Sequence, residues 1–202
     1  MKDSPLVIAI TGASGAVYAH RLLEVLLQKQ YPVHLTISPP GAAVLRQEMG
    51  LRINLTEFQY EQLEFKDPIP SAPQLVYHHY SDFMAPPASG SFRTAGMIIC
   101  PCSGGTLSAI ASGASANLIQ RAAEVHLKER RRLILVPRET PLSLMYIENL
   151  RRASIAGAVI LPAMPGWYHP VRSVQDLVDF VVARILDQLD IEHQLVPRWG
   201  VE

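Results

Sequence analysis

The chain is poor in cysteine, has no excess of either charge, and contains no apolar run long enough to cross a bilayer. Its two cysteines, Cys100 and Cys102, have one residue between them. That spacing suits neither a CxxC redox pair nor a zinc pair, so a reducing cytosol and no structural disulfide are expected. Lys+Arg and Asp+Glu both number 18, which leaves no basic field for nucleic acid or an anionic membrane. The opening Met1-Lys2-Asp3-Ser4 leads straight into an apolar run, so no signal peptide is expected. The reading is a cytoplasmic protein without nucleic-acid or membrane partners. The histidines are scattered and no pair has the spacing of a helical metal site, so no metal is expected. His78 and His79 are adjacent and would face opposite ways on a strand. Repeats and linkers are also missing.

What is present is a globular composition, 49% hydrophobic and 18% charged, over 202 residues that fit one domain. Apolar runs of strand length alternate with helix-period segments. Strands are expected over 6–11, 33–38, near 75–78, 97–100, 133–136 and 159–161. Helices are expected over 16–30, 41–49, 104–111, 118–128 and 142–156, with a last one starting at Ser173. Asp176 lies three residues on, as in a capping box. Residues 50–95 are less periodic. Strict strand–helix alternation predicts an α/β fold, a Rossmann-like or flavodoxin-like doubly wound parallel sheet in three layers. A tail from about 191 carries Trp199, an aromatic placed either to anchor on a neighbouring subunit or to fold back.

In such folds ligands bind beyond the carboxyl ends of the strands, and four strand ends carry ligand chemistry. Thr11-Gly12-Ala13-Ser14-Gly15-Ala16 joins the first strand to its helix, where amides and hydroxyls can cradle a phosphate. It is not G-x-G-x-x-G, and no Gly-Lys-Ser/Thr follows, so neither a dinucleotide fingerprint nor a P-loop is present. Ser38 ends the second strand, where a nicotinamide enzyme would show an acid. Cys100-Pro101-Cys102-Ser103-Gly104-Gly105-Thr106 repeats the small-and-hydroxyl pattern, and its cysteines read as packing residues because no His stands close in sequence to activate them. Pro137-Arg138-Glu139-Thr140-Pro141 sets a fixed cation beside a carboxylate. Tyr168 sits on a Pro/Gly loop after the last strand. Arg121 and Lys128, seven apart, share a helix face. Arg184 edges the apolar stripe of the last helix, and Arg130, Arg131 and Arg132 read as a solvated turn.

Together these segments resemble the flavin prenyltransferases of the UbiX type, nearly end to end. The specific matches are Val136-Pro137-Arg138-Glu139 and Met84-Ala85-Pro86-Pro87-Ala88-Ser89-Gly90-Ser91. They are supported by Ala114-Ser115-Ala116-Asn117, Leu161-Pro162-Ala163-Met164-Pro165-Gly166-Trp167-Tyr168 and Pro197-Arg198-Trp199-Gly200. The resemblance implies joining of a dimethylallyl group from dimethylallyl monophosphate to reduced FMN at N5 and C6. The product, prenylated FMN, then serves a UbiD-type decarboxylase, and quinone biosynthesis is the pathway expected. It also implies a large homo-oligomer, a dodecamer, with sites at subunit contacts. Gly12, Ala13, Ser14, Ser38, Ser103, Gly104, Gly105, Thr106 and Arg138 would hold FMN. Lys128, Arg138, Tyr168 and Arg184, with Arg121 nearby, would hold the allylic phosphate. Glu139 would move protons, Ser14 would relay them, and Phe83, Met84 and Ala88 would wall the prenyl group. Some members carry Trp where this chain has Phe83. The alternatives are an FMN-dependent decarboxylase of a cysteine-derived substrate, which calls for Asn where this chain has Pro165, and a flavin carrier without chemistry.

Overall fold

Leu-Val-Ile-Ala-Ile, the strand β1 (Leu6–Ile10), has no polar face, and all five residues are buried. A strand apolar on both sides belongs inside a parallel sheet covered on both faces. The computed structural model, which describes residues 4–67, 69, 74–168, 170–198 and 200, places it there. The other strands are β2 (Val33–Ile37), β3 (Leu75–Tyr77), β4 (Gly96–Cys102), β5 (Leu133–Pro137) and β6 (Val159–Ile160). They form one sheet in the order β3-β2-β1-β4-β5-β6, every pair parallel. That is the Rossmann order; without the three-residue edge strand β3, the remaining five follow the flavodoxin order.

The helices are α1 (Ala16–Gln28), α2 (Pro39–Met49), α3 (Gly104–Ala111), α4 (Leu118–Lys128), α5 (Leu144–Ile155) and α6 (Val174–Gln188). Alternate residues of β1 feed two cores. Leu6, Ile8 and Ile10 pack with α1 and α6, whereas Val7 and Ala9 pack with α3, α4 and α5. These are the three expected layers.

Departures from the expected boundaries have local causes. β4 runs two residues past Cys100 because Pro101 falls in a register shift between Ile99 and Cys102, where a missing N–H costs no ladder bond. α2 begins at Pro39, with proline in the first turn and Ser38 Oγ accepting from Gly41 N at 3.1 Å. α5 begins at Leu144 because Ser143 caps it, accepting from Tyr146 N at 3.2 Å. The Ser173–Asp176 capping box of α6 is present as expected. The described tail packs on its own chain: Ile191 is buried, and His193 and Arg198 both reach Asp187. Trp199 lies outside the described residues. Among those residues no helix is long and apolar enough to cross a membrane.

His126, inside α4, is buried and satisfied as a neutral ring. Nδ1 donates to Ala122 O at 2.7 Å, and Nε2 accepts from Thr94 Oγ1 at 2.8 Å. Burial, aided by Arg131 and opposed by the Ala122 bond, lowers its pKa from 6.5 to about 4. The neutral form is the one the fold favours, so this stabilisation is whole above pH 6.5 and is lost as pH falls through about 4. Its full size is about 3 kcal/mol. Urea midpoints measured from pH 7.5 to 4 should fall, and the fall should be shallower in His126→Gln; equal slopes would reject this account.

Candidate functional site

The sheet's topological switch lies between β1 and β4, whose following chains leave in opposite directions and open a crevice at the carboxyl edge. Thr11 ties the two exits together. Its buried hydroxyl donates to Pro101 O at 2.7 Å and accepts from Ser103 N at 2.8 Å. It is therefore a structural bolt and not a ligand donor. Gly12 fits close under α2, where a Cβ would stand 2.4 Å from Pro40 Cβ. Ala13 is buried and Ser14 exposed at the rim.

Three of the helices that begin at this edge follow β1, β2 and β4 directly, and of these α3 alone presents open glycine amides. At α2, Pro39 and Pro40 have no N–H and Ser38 takes the amide of Gly41. At α1, a residue overlooked in the sequence fills the seat. Glu48 of α2 accepts from Gly15 N at 3.2 and 3.0 Å and from Ala16 N at 2.9 Å, and the Ser14 hydroxyl bonds the same carboxylate. The expected phosphate cradle at 11–16 is thus occupied by a side chain. At α3, Ser103 Oγ accepts from Thr106 N at 3.3 Å and donates to Thr106 Oγ1 at 3.0 Å. The amides of Gly104 and Gly105 have no acceptor among the described residues, and a Cβ on Gly105 would meet nothing within 4 Å. Arg138 follows β5, whose last residue Pro137 pairs with Cys102 just before this turn, and its Nε lies 3.4 Å from Ser14 O. Two free amides, two hydroxyls and a guanidinium around open space form a seat for a phosphate monoester. Glu139 follows on the same rim, exposed, with Oε1 accepting from Thr140 N at 3.1 Å.

Partial burial opposes ionisation of Glu48. The Ser14 hydroxyl, the two amides and Arg138 outweigh it and hold the carboxyl below its usual range. Glu48 could have been suspected: an acid in a helix's last turn opposes the helix dipole and implies a compensating partner. Tyr146, also overlooked, packs its ring on Gly104. Its buried hydroxyl has no partner among the described residues, and burial, with Cys102 and Glu139 nearby, raises its pKa to about 12. Cys100 and Cys102 are fully buried and burial raises both thiols, Cys102 to about 12, as packing residues should be.

Other sequence candidates form a second group. The segment from Tyr80 to Phe92 lies along α4, with Leu118 N on Tyr80 O at one end and Arg131 on the carbonyls of Gly90 and Phe92 at the other. Phe83 and Met84 stand exposed on it, whereas Ala88 is buried against Leu118. Arg121 donates to Ala88 O at 3.1 Å and pairs with Glu124; Lys128 pairs with Glu129 at 2.8 Å. Lys128 ends α4 near the start of β5, about 15 Å, a strand's length, below Arg138. Arg184 is exposed and paired with Asp187, near the end of α6 at that same lower edge. One chain therefore does not bring Lys128 or Arg184 to Arg138. Tyr168 is exposed on the loop after β6, with Met164 and Trp167, and Ala163 N on Pro137 O holds that loop's start beside β5. The solvated-turn reading of Arg131 also needs correction, since it is half-buried and bonded to two carbonyls.

The lower edge has a cavity of about 540 Å³ lined by Leu6, Ala95, Arg130, Gly157, Gln188 and Asp190 among others. α1, α4, α5 and α6 all end here, so its arginines answer the negative ends of helices. Arg132, for instance, donates to Gln188 O.

The family model described as Flavoprotein matches residues 1–186. The chain is 50% identical over 195 residues to the flavin prenyltransferase UbiX of Pseudomonas aeruginosa, covering 96% of this chain and 93% of that protein. Among solved structures it is similar to AnUbiX (PadA1) in complex with FMN and dimethylallyl pyrophosphate. The TM-score is 0.86 at 38% identity, covering 98% of both chains. It is also similar to a dodecameric FMN-dependent UbiX-like decarboxylase from Escherichia coli O157:H7, with TM-score 0.84 and 36% identity over 98% of this chain and the whole of that one.

Proposed function

Because the chain belongs to the UbiX flavin prenyltransferases within the flavoprotein family, we propose that it joins a dimethylallyl group from dimethylallyl monophosphate to FMN. The observation that carries this reading is one rim holding both an open phosphate seat and an exposed carboxylate: Gly104, Gly105 and Arg138 beside Glu139. Reduced FMN, when bound, supplies the nucleophilic N5 and C6.

The remaining tasks fall to this chain. Ser103, Gly104, Gly105, Thr106 and Arg138 hold the flavin phosphate, with Ser38 beside them. Gly12 and Ala13 let the ring lie close to the backbone, and Ser14, oriented by Glu48, relays a proton. Glu139 exchanges protons with the departing phosphate. Lys128, Tyr168 and Arg184, with Arg121 nearby, neutralise that phosphate as charge develops on it. Phe83, Met84 and Ala88 keep water from the allylic carbon. Since one chain separates these groups, a second copy completes the site, in a homo-oligomer of dodecameric form. Its exposed Phe83, Met84, Trp167 and Tyr168 are then covered by neighbours, and the C-terminal tail helps to pack one copy on the next. The product is handed to a UbiD-type decarboxylase in the cytoplasm.

Anaerobic incubation with reduced FMN and dimethylallyl monophosphate should add one five-carbon unit to the flavin mass. Unchanged flavin, with FMN binding demonstrated, would overturn this reading and turn attention to cysteine-derived decarboxylation substrates.

A further inference from the structure

Tyr146 keeps a hydroxyl where the fold gives it nothing to bond. The residue is 8% exposed, and its Oη is buried without a partner among the described residues. An unpaired buried donor destabilises a fold, and phenylalanine would fill the same space without that cost. The ring itself is fixed. Tyr146 N donates to Ser143 Oγ at 3.2 Å in the first turn of α5, and the side chain packs with Cys102 and Leu107. Its edge lies against the start of α3. A Cβ on Gly104 would stand 3.1 Å from Cε2, beside the hydroxyl-bearing carbon, and 3.5 Å from Cδ2. Gly104 is not among the left-handed glycines, so the ring and not the backbone calls for glycine there. The hydroxyl end faces the rim of the site. The ionisable groups that bear on it are Cys102, at the end of β4, and Glu139 and Arg138, just past β5. α3, packed against α5, has no ionisable side chain.

Burial raises the phenol to about 12, with Cys102 and Glu139 acting in the same direction and Arg138 against them, so the hydroxyl keeps its proton and serves as a donor. Of the three neighbours, Arg138 is itself a donor and the Cys102 thiol a weak acceptor, which leaves the Glu139 carboxylate as the strong acceptor among them. Glu139 is loosely held. It is exposed, and its Oε1 accepts from the amide of the very next residue, Thr140, at 3.1 Å. We propose that Tyr146 is a positioning residue for Glu139: once flavin covers the rim, the Tyr146 hydroxyl donates to the Glu139 carboxylate and turns it from solvent toward the crevice. One carboxylate oxygen is then fixed and the other faces the flavin. The hydroxyl proton stays on Tyr146; it orients and is not transferred. The inference rests on Glu139 being the group that exchanges protons in prenyl transfer.

The test is Tyr146→Phe in the assembled protein, read with and without flavin. Flavin-free, the variant should melt above wild type, because an unpaired hydroxyl is gone and the ring remains. Saturating FMN should remove that margin, because wild type then gains a bond that phenylalanine cannot make. FMN affinity should weaken by the factor that margin represents. kcat for prenyl transfer should fall about tenfold, the weight of one hydrogen bond to a charged group. KM for dimethylallyl monophosphate should stay near wild type, since no ligand of its phosphate is touched. In a Glu139→Ala background, Tyr146→Phe should lower the rate no further, and FMN should leave the margin in place. A flavin-free variant less stable than wild type would show the hydroxyl already bonded and overturn the proposal. So would an unchanged kcat, a margin that FMN leaves in place with Glu139 present, or equal losses with and without Glu139. If wild type transfers no prenyl group while the effect of FMN on the margin still depends on Glu139, the proposed function falls and the contact between Tyr146 and Glu139 stands.

Discussion

Glu139→Gln leaves FMN bound and all but stops prenyl transfer. Glutamine keeps the length and the acceptor that Thr140 N bonds at 3.1 Å, so the exit from β5 should hold its shape. What it loses is the ability to take up and return a proton. General acid–base groups contribute about 10²- to 10⁴-fold, and a loss in that range is expected in the rate of flavin mass gain. Glu139 is exposed on a rim and bears no buried contact, so the thermal midpoint should not move. FMN affinity should also survive, because the amides of Gly104 and Gly105 and the Arg138 guanidinium are untouched. A variant that keeps more than about a tenth of the wild-type rate would move the proton transfer elsewhere on the rim, below the range for such a group.

The architecture was legible because each strand's pattern is local. Leu6–Ile10 and Leu133–Pro137 are apolar on both faces, and that alone demands helices above and below. The strand exits at Ser38, Ser103 and Arg138 were legible for a related reason: the residue after a buried strand must emerge at the carboxyl edge. Two things were not legible. The Glu48 carboxylate meets the α1 amides across more than thirty residues, and nothing in a stretch ending Arg46-Gln47-Glu48 marks where that acid points. The direction of α4 was also hidden. Periodicity correctly put Arg121 and Lys128 on one face, but it carries no sign of which end of the helix lies near Arg138. The placement of Lys128 at the far edge follows from the crossover to β5, a property of the sheet and not of the helix. Arg131 was misread because a turn of consecutive arginines looks solvated until the carbonyls of Gly90 and Phe92 are brought beside it.

Glu48→Ala should cost both stability and rate, and Glu48→Gln should separate the two. In the alanine variant the amides of Gly15 and Ala16, both buried residues, lose their acceptor. Leaving such donors unpaired costs about 1–3 kcal/mol, and losing a negative charge at a helix start adds about 0.3–1 kcal/mol. Urea unfolding at pH 7 reads that sum. Glutamine restores one oxygen acceptor to the amides, so most of the stability should return. It does not restore the charge that orients the Ser14 hydroxyl, so prenyl transfer should remain down by about 100-fold, the lower end of a general acid–base contribution. The pH dependence separates the variants again. The folded protein holds the Glu48 carboxyl below its ordinary value of 4.5, so its stabilisation is present above that value and lost as pH falls through the lower folded one. Wild type should therefore lose its margin over both variants on acidification below pH 4.5. A wild-type rate in Glu48→Gln would mean that Ser14 needs no carboxylate behind it. An unchanged urea midpoint in Glu48→Ala would mean that water satisfies the start of α1 as well as the side chain does.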